Sequence, residues 1–113
     1  MELATSLSEI EGYLTRKQPL LLYFSSEKCG VCQVLKPKVT EEVSSRFPKI
    51  VLREVLAGAH PEIAGKFTVF TASTIIVFFD GKEYLRESRN LSVPRFIEQL
   101  HRIYSLWEAN GSN

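Results

Sequence analysis

Residues 20–32 read Leu20-Leu21-Leu22-Tyr23-Phe24-Ser25-Ser26-Glu27-Lys28-Cys29-Gly30-Val31-Cys32, and the succession of residue types in this stretch decides the fold. The apolar run Leu20 to Phe24 follows Pro19, is too short for a helix and lacks the alternation of a half-exposed strand. It reads as a strand buried on both faces. Four polar residues end it, and a helix is expected to begin near Cys29. Val31, Val34, Leu35, Val39, Val43 and Phe47 form that helix's expected inward side, at close to helical spacing. Pro37 lies inside it and predicts a kink.

Upstream, Ser6 and Glu9 have the spacing of a capping box, which predicts a helix running to about Arg16. Downstream, Ile50 to Val55 reads as a second strand. Gly58 to Lys66 holds a short helical turn with Pro61 near its start. Thr74 to Phe79 and Glu83 to Glu87 are β-rich runs joined by Asp80-Gly81, a hairpin signal. Ser92 caps a last helix whose Val93, Phe96, Ile97, Leu100, Ile103, Tyr104 and Trp107 make one apolar stripe facing the core. The expected order is α-β-α-β-α-β-β-α, an α/β chain forming a single domain over residues 1–113, with 110–113 a short polar tail.

Composition narrows the function. The chain has 113 residues, enough for one core. Its 14 Lys and Arg against 13 Asp and Glu leave a formal charge of +1, which gives no case for a broad nucleic-acid-binding face. With 44% hydrophobic and 24% charged residues it has ordinary globular usage rather than that of a disordered chain. No apolar run approaches the roughly 20 residues of a membrane helix. Met1 to Ile10 carries Glu2 and Glu9 and does not resemble a secretory leader, so a cytoplasmic address is expected.

Cys29 and Cys32 are the only cysteines. A disulfide scaffold needs more of them, spaced more widely. A structural zinc site needs four ligands, and His60 and His101 stand apart from the pair and from each other. The remaining readings are a reactive dithiol and an inert pair. The pair falls where the buried strand hands over to a helix, whose N-terminus offers unpaired N–H groups and a positive dipole end. Both favour a thiolate at Cys29, with Lys28 adding positive charge, while Cys32 lies one turn deeper. An exposed first sulfur and a sheltered second one is the asymmetry that thiol–disulfide exchange uses. Glu27 reads as a surface charge and His60 as a turn residue.

From the first helix to the last the chain resembles the thioredoxin family. The resemblance is carried by the strand before the C-x-x-C, Lys36-Pro37 after it, Lys66-Phe67 before the third strand, and Phe78-x-Asp80-Gly81. It implies a thioredoxin-like fold, a central mixed sheet of four or five strands with helices on both faces. It also implies that Cys29 attacks and Cys32 resolves, and that the chain reduces protein disulfides through its own redox-active pair, with no cofactor and no metal. A flavin-dependent thioredoxin reductase or a low-molecular-weight thiol would supply the electrons, and the protein is expected to be a monomer. Against the family pattern, Lys28 replaces a tryptophan, Ser73 a cis-proline and Arg89 a glycine of the substrate groove. That groove, formed by Lys28, Gly30, Val31, Ala72, Ser73 and Arg89, is therefore expected to be polar and cationic. The Ala72–Ser73 bond is expected to be trans, because a cis bond before a non-proline residue costs about 3–4 kcal/mol. Tyr23 stands where the family has a buried aspartate, and Glu54 where it has that residue's lysine neighbour. A tyrosine of pKa about 10 is no base at neutral pH, so two readings of Glu54 stay open: an exposed strand glutamate, or a partly desolvated carboxylate beside Tyr23 and Cys32 that assists proton transfer. Two other readings stay open: a redox-sensing or partner-binding module, and a dimer holding zinc or an iron–sulfur cluster through two copies of the pair.

Overall fold

The structure, a computed structural model, describes residues 1–27, 29–88 and 90–111, with Val31 described by its backbone alone. Its elements are β1 (Glu2–Leu3), α1 (Leu7–Thr15), β2 (Leu20–Ser25), α2 (Gly30–Arg46), β3 (Val51–Leu56), α3 (Pro61–Lys66), β4 (Thr74–Phe79), β5 (Lys82–Ser88) and α4 (Val93–Ala109). The short strand β1 is an addition to the sequence reading. Two residues carry no detectable period, and β1 exists through its pairing with β3 rather than through its own preference.

The five strands lie in the order β1-β3-β2-β4-β5. β1, β3 and β2 run parallel, and β4 is antiparallel to β2 and to β5. Central β2 is buried along its whole length, as its unbroken apolar run requires. Successive residues of a strand face opposite sides, and β2 divides its side chains accordingly. Leu21 and Tyr23 join the core under α2 and α4, with Val39, Val43, Phe96 and Leu100. Leu20, Leu22 and Phe24 join a second core with Ile10 of α1 and Ile63 of α3. Both faces are thus covered by helices, and the chain has the thioredoxin fold.

Ser6 caps α1, its Oγ accepting from the Glu9 N–H at 3.0 Å. The Glu9 carboxylate departs from a standard capping box and accepts from the Thr5 N–H at 2.8 Å. Arg53 of β3 also donates to it, at 2.9 Å. The Thr5 backbone bond leads in holding the Glu9 carboxyl down at about 2, against a smaller opposing effect of burial. In α2 the residue Val34 is 61% exposed, contrary to its expected inward place. At about 100° per residue it lies roughly 200° around the helix from buried Cys32, whereas Val39, Val43 and Phe47 return to the Cys32 side. The helix continues through Pro37. At the β4–β5 turn Asp80 and Gly81 have φ of 55° and 77°, the left-handed pair that a two-residue hairpin uses.

Candidate active site

The site is built at the end of β2. Cys29 is the N-cap of α2, and its Sγ accepts a hydrogen bond from the Cys32 N–H at 3.1 Å. Its own N–H donates to the Ser26 carbonyl at 3.2 Å, closing the turn out of the strand. The two cysteines are joined as a disulfide, with Cα atoms 5.3 Å apart. Cys29 is half-buried, whereas Cys32 is only 3% exposed and belongs to the core under α2. The first sulfur therefore sits at the helix end where unpaired N–H groups stabilise negative charge, and the second is sheltered. Gly30 is exposed, and a Cβ there would meet nothing within 4 Å.

Beneath the pair lies a buried polar network. Tyr23 and Glu54 are register partners on β2 and β3, so both face α2. Glu54 is 6% exposed and not the solvated strand glutamate that its charge alone suggests. Ser25 Oγ donates to it at 2.6 Å, and Lys36 Nζ lies 3.1 Å from both carboxylate oxygens. Ser25 and Lys36 were not among the expected site residues. The signal was available: Ser25 is two residues beyond Tyr23 on the strand, and Lys36 is one helical turn beyond Cys32, so each shares a face with a candidate residue. Burial pushes the Tyr23 phenol above its usual range; Ser73 donation opposes this and the Glu54 charge adds to it. The phenol is therefore neutral at physiological pH, in keeping with its exclusion as a base.

The loop before β4 joins this network through Tyr23. Its Ala72–Ser73 bond is cis, which corrects the expectation of trans. That expectation weighed the local preference of the amide alone. The contacts around the loop decide otherwise: Ser73 is 2% exposed and donates from Oγ to the Tyr23 phenol at 3.1 Å. Thr74 Oγ1 donates to the Thr71 carbonyl. Ala72 packs against the core that contains Cys32. Tyr23 thus links the expected residues, hydrogen-bonded to Ser73, paired in register with Glu54 and sharing a core with Cys32. Lys28, Arg89 and the Val31 side chain lie outside the described residues, and with them the expectation of a cationic groove. On the other side of the site Ser26 and Ala72 lead into an uncharged trough of about 510 Å³, walled by Ala57, Gly58, Gly65 and Phe70. Phe70 is 88% exposed. Glu27 is exposed, and His60 caps α3 without a side-chain cap bond, its ring 3.2 Å from Glu62.

The family model described as thioredoxin matches residues 3–101. The chain belongs to the thioredoxin family. A thioredoxin-like protein of Bacillus subtilis, YdfQ, is 35% identical over 103 residues, 91% of each chain. Thioredoxin O2 from Arabidopsis thaliana, in its oxidized state, superposes with a TM-score of 0.78 at 23% identity, covering 91% of this chain and 93% of that one. Thioredoxin from Trypanosoma brucei brucei gives 0.79 at 20% identity, covering 90% and 88%. These likenesses establish the shared thioredoxin fold. No helix among the described residues is long and apolar enough to cross a membrane.

Proposed function

We propose that the protein is a thiol–disulfide oxidoreductase that reduces protein disulfides in the cytoplasm. The observation that carries this reading is the unequal placement of the two sulfurs, Cys29 at the helix cap and Cys32 in the core. In the reduced form the Cys29 thiolate attacks one sulfur of a substrate disulfide. A Cys29–substrate disulfide forms, and the other substrate sulfur leaves as a thiolate. Cys32 then loses its proton, and its thiolate attacks Cys29 Sγ. The Cys29–Cys32 disulfide closes, and the second substrate sulfur leaves reduced. Two electrons pass to the substrate in all, and a thioredoxin reductase or a low-molecular-weight thiol returns them.

Glu54 is the proton acceptor for Cys32, held in place by Ser25 and Lys36. Tyr23, neutral and hydrogen-bonded to Ser73, forms the floor next to it. Among the described residues of the expected groove, exposed Gly30 and half-buried Ala72 are where the substrate chain docks. The protein acts as a monomer.

The test is reduction of insulin disulfides by dithiothreitol, comparing the wild type with Cys29→Ser. Catalysis by the wild type that is lost in the variant is the expected result. Equal rates would retire the enzyme and leave the second reading, a binding or sensing module whose pair changes state without efficient turnover. The hydroxyl at Ser73 in place of a proline ring favours that alternative.

A further inference from the structure

A second concave site lies at the opposite end of the sheet from the disulfide. β4 starts at Thr74 beside the Ala72–Ser73 loop and ends at Phe79, six residues and so roughly 17 Å away. There the β4–β5 turn, the end of α4 and Lys17 enclose a pocket of about 650 Å³, within the range of small-molecule sites. Its floor is aromatic. Phe79 stands edge-on to Tyr84 at 6.0 Å and packs against Trp107 at 5.6 Å between centroids. Tyr84 is 50% exposed although it belongs to this cluster. It is the extra residue of a β-bulge, Val77 pairing with Leu85 and Phe78 with Glu83, and bulges redirect side chains in this way.

Two features of the lining stand out among the described residues. Trp107 Nε1 is the one buried side-chain nitrogen or oxygen among the described residues with no hydrogen-bond partner. Indole N–H groups are donors only, and a buried one ordinarily finds an acceptor. Lys17 and Lys82 line the same pocket and take part in none of the ion pairs among the described residues. Asp80 is the single carboxylate in the lining, leaving a net positive rim. The half-exposed Tyr84 ring, backed by Phe79 and Trp107, offers an aromatic wall, and two ammonium groups against one carboxylate select an anion.

We infer that this pocket between the β4–β5 turn and α4 binds a small aromatic carboxylate, its ring against Tyr84 and Leu106 beside the edge of Trp107 and its charge toward Lys17 and Lys82. The site is independent of the dithiol chemistry. Trp107 is the only tryptophan in the chain, so its indole N–H gives a single resolved resonance in a 15N-labelled sample. Titration with 2-naphthoate is expected to shift that resonance to saturation, with the uncharged 2-naphthamide binding about fivefold more weakly. Replacing both lysines, Lys17→Gln with Lys82→Gln, is expected to weaken naphthoate about fivefold and leave naphthamide unchanged, as loss of two partly exposed charge contacts implies. Asp80→Asn is expected to tighten naphthoate about twofold. All three positions are exposed, and a dispersed spectrum verifies that each variant is folded. An indole resonance that stays still at millimolar naphthoate, equal binding of acid and amide, unchanged binding in the lysine variant, or shifts confined to residues around Gly30 would each overturn the inference.

Discussion

Cys29 and Cys32 are three positions apart, yet one caps a helix in partial contact with solvent and the other is 3% exposed in the core. Their substitution should separate the two steps of exchange. Cys29→Ser is expected to abolish insulin reduction, and Cys32→Ser to accumulate a mixed disulfide with substrate that non-reducing electrophoresis detects. Glu54→Gln removes the proposed proton acceptor while keeping shape. Turnover at pH 7 should fall by about a hundredfold, the lower end of general-base effects, and recover above the ordinary thiol pKa of about 8.5. A parallel loss at all pH values would make Glu54 structural only. Lys36→Met leaves the Glu54 carboxylate buried without its cation. Because Lys36 is itself 36% exposed, the cost should be about 1–2 kcal/mol in urea unfolding, less than for a fully buried pair. The carboxylate was legible in the sequence because its position departs from the family pattern. Its ion pair was not, since Lys36 lies 18 residues away and only the packing of α2 on β3 brings them together.

At the scale of elements, the strands and helices with strong local signals lie within a residue or two of their expected limits. β4 spans Thr74–Phe79 as read, and Ser6, Cys29 and Ser92 cap the three longest helices. Caps and turns are legible because they satisfy backbone groups within a few residues. β1 and the cis bond before Ser73 were not, because each is decided by a partner distant in sequence: β3 in one case and Tyr23 in the other. Two substitutions measure local choices. Ser6→Ala, which removes the acceptor for the Glu9 N–H, should cost about 1 kcal/mol. Gly81→Val should cost more, upward of about 2 kcal/mol. Gly81 has φ of 77°, and its added Cβ would stand 3.0 Å from the Leu14 carbonyl oxygen. Thermal unfolding of both variants, with equal losses, would contradict that ranking.

For the molecule as a whole, acid stability is tied to Glu9 at the start of α1, held first by the Thr5 N–H and then by Arg53 of β3. Glu9 is held at about 2 in the fold against an unperturbed 4.5, so folding binds fewer protons there than the unfolded chain does. The sign follows: the stabilisation is complete above about pH 4.5 and is lost as pH falls through that value toward 2. Glu9→Gln should lower stability at neutral pH and flatten the decline between those limits, which denaturant melts at several pH values would read. An unchanged acid slope would assign the decline to other carboxyl groups. The sheet order has one more consequence. One margin ends in the two-residue β1, and the other in β5, whose bulge and charged Lys82, Glu83, Arg86 and Glu87 interrupt any flat row of free amides. Neither rim offers a template on which a neighbouring chain can extend the ladder, so the central run of five consecutive apolar residues in β2 is shielded from fibrillar assembly as long as the native state holds.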